Sequence, residues 1–273
     1  MWVVEGELKA DLPGRPRENT ESSSCASPPP TRDVFTPSAS PLARYLGCTF
    51  TLKYFPLAAR AEPIRLACYL GGIPFHDVRM PFEDFIAKRE TYPFGQLPVL
   101  EVRFPTGEKH VLAQSTSIMR FVGRMGGLYP SDPLEACVVD QVMDAVQDIY
   151  ALVNGVLREE CTSSKLAMQK KLAEETLPKW LGYLERKLEQ SGTNCFLGTE
   201  ITVAELQVHQ LVCWLSQGAL ELVPRTLVDN FPLVKHIQIM VLRHPKVQEY
   251  YHKQGLDASS TAPCPAIVHP SST

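Results

Sequence analysis

The sequence predicts a small mixed α/β module over residues 47–128, followed by an all-helical domain over 133–255. Two patterns carry that expectation. In the first segment, short β-branched and aromatic runs alternate with helical patterns. Beyond Tyr129-Pro130-Ser131-Asp132, apolar residues recur at three- and four-residue spacing over long stretches.

The first strand is expected at Cys48-Thr49-Phe50-Thr51-Leu52-Lys53-Tyr54, ended by Pro56. A helix from about Arg60 to Leu70 follows and stops at Gly71-Gly72. Short apolar segments near Phe75–Val78 and Pro98–Phe104 read as strands, with a helix near Phe82–Thr91 between them. Phe104-Pro105-Thr106-Gly107-Glu108 resembles a hairpin turn leading to His110-Val111-Leu112, and Ile118, Phe121 and Val122 place another helix after Gln114-Ser115. The resulting order is strand, helix, strand, helix, two hairpin strands, helix.

In the second segment, Val139, Val142, Met143, Val146 and Ile149 form one buried stripe. A further helix spans roughly Ser164–Leu188, with Leu166, Leu172, Leu177, Leu181 and Leu184 as its apolar surface. Thr202-Val203-Ala204-Glu205 has the spacing of a capping box. The last helix is expected to end near His252 or Gln254. Residues 1–46 and 256–273 are rich in proline and serine, with little apolar area to offset the cost of ordering, and are expected to be mobile extensions.

Composition narrows the function classes. With 27 Lys+Arg against 30 Asp+Glu, no broad phosphate-binding surface is expected, and no nucleic-acid partner. The eight cysteines include no CxxC pair, so they read as reduced thiols, with Cys68, Cys137 and Cys213 filling core space. The chain carries neither a basic, apolar leader nor a run of about 20 apolar residues. A cytoplasmic protein without a membrane span is the expectation.

The stretch Tyr54-Phe55-Pro56-Leu57-Ala58-Ala59-Arg60-Ala61-Glu62-Pro63-Ile64-Arg65 is the most informative. A strand-end tyrosine beside a helix start can direct its hydroxyl at a bound thiol, and the bond strengthens when the thiol ionises. Taken alone, Tyr54 is an ordinary strand aromatic, and Arg60 either supports the geometry around it or opens an exposed helix face. Gln96-Leu97-Pro98 suggests a tight loop; a cis Leu97-Pro98 bond would turn the Leu97 backbone toward a peptide, and a trans bond would make it a plain surface loop. Gln114-Ser115 precedes a helix, where donors hold a carboxylate or simply cap the helix.

These landmarks, with Pro93-Phe94-Gly95 and Phe196-Leu197-Gly198-Thr199 leading into Thr202, resemble the cytosolic glutathione transferases over residues 48–254. The likeness is nearest to the sigma class, which includes haematopoietic prostaglandin D synthase, with a pi-like Tyr-Phe-Pro opening. It implies a thioredoxin-like amino-terminal domain, a helical acceptor-substrate domain and a homodimer. It implies glutathione as cosubstrate and a small hydrophobic electrophile as acceptor. Tyr54 would stabilise the thiolate with Arg60 in support. Phe85, Arg89, Gln96, Leu97, Pro98, Gln114 and Ser115 would bind the tripeptide, and Asp148 would reach across the dimer to its amino group.

The chain also departs from that pattern. Ala58 and Ala59 replace a common arginine-glycine pair, Phe85 stands where a tryptophan is frequent, and Arg89 where a lysine is. Gln147 replaces an aspartate of an acidic cluster linked to divalent-ion activation, so no metal requirement is expected. Tyr150, Val153 and Asn154 are the candidates for the acceptor pocket. Two alternatives to conjugation stay open: prostaglandin D synthase-like isomerisation, and a glutathione-binding structural protein with little catalysis.

Overall fold

The computed structural model describes residues 43–218 and 220–256. The two expected extensions lie outside the described residues except at 43–46 and 256. Within the former, a 3-10 turn at Ala43–Tyr45 sets the Tyr45 ring 5.3 Å from Phe121 and 5.9 Å from Phe104.

Four strands form one mixed sheet: β1 (Thr49–Tyr54), β2 (His76–Arg79), β3 (Val99–Arg103) and β4 (Lys109–Ala113), in the order β2-β1-β3-β4. β1 runs parallel to β2, and β3 is antiparallel to both β1 and β4. The parallel pair requires a crossover, supplied by helix α1 (Glu62–Leu70). A 3-10 turn at Ala59–Ala61 precedes α1, so the predicted helix start at Arg60 is a tighter turn. Helix α2 (Phe82–Lys88) runs into a 3-10 turn at Arg89–Thr91, and α3 (Ser115–Gly126) follows β4. This is the thioredoxin-like arrangement. Alternation along β3 divides its side chains: Leu100 and Val102 enter the main core with α1 and α3, and Val99 joins Met80, Phe85 and Tyr92 in a smaller cluster.

The glycine read as a helix stop has a second role. A Cβ on Gly71 would lie 2.5 Å from the Gly126 Cα, so only glycine lets the ends of α1 and α3 approach this closely.

The helical part comprises α4 (Pro133–Leu157), α5 (Thr162–Lys171), α6 (Leu177–Ser191), α7 (Val203–Ser216), α8 (Pro232–Arg243) and α9 (Pro245–Lys253). The single helix predicted over Ser164–Leu188 is one run interrupted by a π turn at Leu172–Thr176. Pro178 offers no amide to the preceding turn, and the wider π spacing accommodates that loss. Leu172, Leu177, Leu181 and Leu184 are buried, but Leu166 is off the stripe and exposed.

Helix α7 is buried along Val203–Leu215, and α1, α4 and α8 pack around it. Its start carries the capping box: the Glu205 carboxylate accepts from the Thr202 amide at 2.7 Å and the Phe196 amide at 2.8 Å, and the Thr202 hydroxyl accepts from Ala204 at 3.2 Å. Cys68 and Cys213 fill the core as expected, whereas Cys137 is exposed. It precedes Val139 by two residues, a helical offset of about 200° that turns it away from the buried stripe.

Candidate functional site

The sheet register brings distant residues to one end of three neighbouring strands. Lys53 pairs with Val99 and Val99 with Ala113, so Tyr54 at the end of β1, Leu97-Pro98 before β3 and Gln114-Ser115 after β4 share that end. Two strand spacings amount to about 10 Å, close to the reach of an extended tripeptide at roughly 3.3–3.6 Å per residue.

Each position along this line has its own local geometry. The Leu97-Pro98 peptide is cis, the first of the two alternatives open in the sequence. Gln114 is exposed and adopts φ 68°, ψ 112°, outside the usual L-residue regions, turning the chain from β4 into α3. Ser115 is the first residue of α3 and is buried, beside the helix's unpaired amides. Gln96 is exposed.

Tyr54 is buried, and its ring lies 5.2 Å from Phe55. Burial pushes its phenol above the usual tyrosine value, while a hydrogen bond from the Arg60 backbone and the charges of Arg60 and Arg65 act in the opposite sense without cancelling it. The hydroxyl therefore keeps its proton near neutrality. Since the Arg60 N–H occupies an acceptor position on the oxygen, the hydroxyl proton is left to be donated elsewhere.

A cavity of about 210 Å³ opens beside Tyr54. The segment after β1 supplies Tyr54, Leu57, Ala59 and Arg60; one face of α4 supplies Tyr150, Asn154 and Leu157; α7 supplies Gln210 and Trp214. The Arg60 guanidinium donates to Gln147 Oε1 at 2.5 Å and lies 5.2 Å from the centre of the Tyr150 ring. It thus ties the α/β part to α4 while its backbone serves Tyr54. Of the acceptor-pocket candidates, Tyr150 and Asn154 line the cavity, but Val153 is fully buried in the core. Its position on α4 is one residue off the face that carries the other two, which turns it inward.

Sequence reasoning missed Leu57, Ala59, Leu157, Gln210 and Trp214 as lining residues. A usable signal was Gln210 and Trp214 at i,i+4 spacing, a polar and aromatic pair on a mostly apolar helix.

The remaining candidates have other surroundings. The Phe85 ring is buried, 5.3 Å from Phe55 and stacked 6.1 Å from Tyr92, so it is part of the smaller core cluster. Arg89 is exposed and donates through Nε to the Gly95 carbonyl at 3.2 Å, bracing the loop before Leu97. Asp148 is exposed on α4. Among the described residues, no group of three His, Cys, Asp or Glu side chains is arranged to hold a metal ion.

Under this arrangement the buried Arg65 holds the loop in place. Its Nη1 donates to the Leu57 carbonyl at 2.9 Å and to Glu62 at 3.0 Å, and its Nε pairs with Asp77 at 3.1 Å. Ala59, between Leu57 and Arg60, has φ 37°. A side chain is disfavoured at that angle, so Ala59→Gly should stabilise the protein by about 1 kcal/mol, read as a higher denaturant midpoint with unchanged slope.

Comparison with known proteins gives the family and the fold. Residues 147–254 match the family model described as glutathione S-transferase, C-terminal domain. The chain is 34% identical over 193 residues to glutathione S-transferase 1 of Ascaris suum, covering 69% of this chain and 89% of that protein. Among solved structures, prostaglandin synthase D of Nilaparvata lugens superposes with a TM-score of 0.67 at 25% identity, over 76% of this chain and 98% of that one. The sigma class glutathione transferase of Fasciola hepatica gives 0.65 at 26% identity, over 79% and 99%.

Proposed function

This chain belongs to the glutathione transferase family, and from that premise we propose that it binds glutathione along the strand ends and activates it at Tyr54. The observation that carries this reading is a protonated tyrosine hydroxyl beside a cavity, with the Arg60 amide already occupying an acceptor position on its oxygen. A hydroxyl so held donates to sulfur, and a thiolate accepts that bond more strongly than a thiol does.

In this reading the tripeptide backbone pairs with Leu97, next to Gln96 and Pro98. Its γ-glutamyl end sits at Gln114 and Ser115, where the amides of α3 favour a carboxylate. Arg89 supports the loop and Phe85 the layer beneath it. Asp148, exposed on α4, is assigned to the amino group of glutathione bound by a second copy in a homodimer. The thiolate attacks a small hydrophobic electrophile placed in the cavity between the β1 loop, α4 and α7, and holding both reactants there supplies part of the rate. The helical acceptor-substrate domain is assigned to residues 133–255 and the glutathione-binding domain to 47–128. Among the described residues no helix is long and apolar enough to cross a membrane, and the cytoplasm is the proposed location.

Isomerisation is the second reading, favoured by the likeness to prostaglandin synthase D of Nilaparvata lugens. Both readings use the same thiolate and differ in what the cavity admits. The test is glutathione-dependent turnover, with chlorodinitrobenzene and a prostaglandin endoperoxide assayed side by side. Conjugate formation that saturates in glutathione is the expected result. Turnover of the endoperoxide alone would select the isomerase, and no glutathione dependence with either would overturn both.

A further inference from the structure

The acceptor cavity contains a cation that has no counterion among the described residues. Among the described residues, Arg60 is the one formally charged side chain lining it, between aromatic and aliphatic walls from Leu57, Tyr150, Leu157 and Trp214. Among the described residues no carboxylate lies within ion-pairing distance of its guanidinium. Its side-chain hydrogen bond goes to a neutral amide, Gln147 Oε1.

Other partly or fully buried arginines differ in this respect. Arg65 is paired with Glu62 and Asp77, Arg79 with Asp77, and Arg120 with Asp140 and Asp144. A guanidinium has five N–H donors, and one serves Gln147, which leaves enough for the two parallel bonds of a carboxylate. A half-buried charge in such a cavity attracts an anion more strongly than one in open water.

Resting on the transferase reading, we propose that the acceptor of this enzyme carries an anionic group, a carboxylate, bound by Arg60 while its apolar body packs on Tyr150 and Trp214. The positive charge would then select among acceptors that the apolar walls alone would not distinguish. Because the bond to Tyr54 comes from the Arg60 backbone, replacing the side chain leaves that N–H in place.

The experiment compares two probes of nearly equal shape, a chlorodinitrobenzoate and its uncharged carboxamide, using the full chain. Each kcat/KM is divided by the uncatalysed rate with free glutathione. The benzoate is expected to be favoured by about 10-fold or more at low salt, in line with one charge-assisted contact. That ratio should fall to about one in Arg60→Met and be partly retained in Arg60→Lys. Any general loss of thiol activation affects both probes equally and cancels in the ratio. A native ratio near one, or a ratio unchanged in Arg60→Met, would overturn the proposal with the transferase reading intact. If neither probe reacts, the transferase reading fails, and binding of the unreactive dinitrobenzoate and dinitrobenzamide in the presence of S-methylglutathione decides the point. Tighter benzoate binding that depends on Arg60 supports an anion site, and equal binding removes it.

Discussion

Replacing Tyr54 with phenylalanine should raise the pKa of the bound glutathione thiol by about 1.5 units, since one charge-assisted hydrogen bond favours the thiolate by about 2 kcal/mol. Conjugation near neutral pH should slow by about 10- to 100-fold, because less thiolate is present and its charge is no longer held by a donor. The sign of the pH dependence follows from the same change. Rate rises with pH through the thiol pKa, so the rising limb moves to higher pH in the variant, and the two proteins converge once both thiols are ionised. Glutathione affinity should change little, as the recognition proposed at Leu97 and Ser115 is untouched. Thiolate absorbance of the bound complex measured against pH checks this directly. An unchanged titration in a folded, glutathione-binding variant would remove Tyr54 from the chemistry.

Arg65→Met should destabilise the protein by about 3–5 kcal/mol, the usual cost of leaving one partner of a buried ion pair uncompensated. Glu62 is 1% exposed and would lose the guanidinium it is paired with, whereas Asp77 would retain Arg79. For a protein of this size each kcal/mol is about 2–4 °C in Tm, so a fall of about 10 °C is expected in thermal unfolding. The Leu57 carbonyl also loses its donor, and because Leu57 lines the cavity, turnover of the remaining folded protein should drop as well. The double variant Glu62→Leu, Arg65→Met tests the cause. Removing both charges should restore part of the stability, and a double variant no better than the single one would show that packing, not charge, is responsible.

The legible parts of the molecule are those in which a short stretch contains its own instruction. β1 is written in alternating Phe50, Leu52 and Tyr54, all buried, and α7 in the Thr202 to Glu205 capping spacing. Tyr54, Leu97 and Ser115 stood out as candidates because each sits where a strand meets a turn or a helix. Their alignment at one sheet end came from the strand order and register of the folded sheet. Phe85 was read as a ligand cover, and its burial against Phe55 and Tyr92 depends on how α2 lies on the sheet. The π turn likewise reflects how the chain absorbs Pro178, which periodicity does not encode.

The sequence by itself determined the two-part architecture and the family and singled out Tyr54 as a candidate, because local patterns and the order of motifs survive in a linear string. Only the tertiary structure decided that Arg60 reaches Gln147 and Tyr150, that Val153 turns inward, and that Gln210 and Trp214 close the cavity. These contacts join residues far apart in the chain, 87 positions for Arg60 and Gln147, and a helical phase error of one residue moves a side chain by about 100°. Such contacts exist only once the helices have packed.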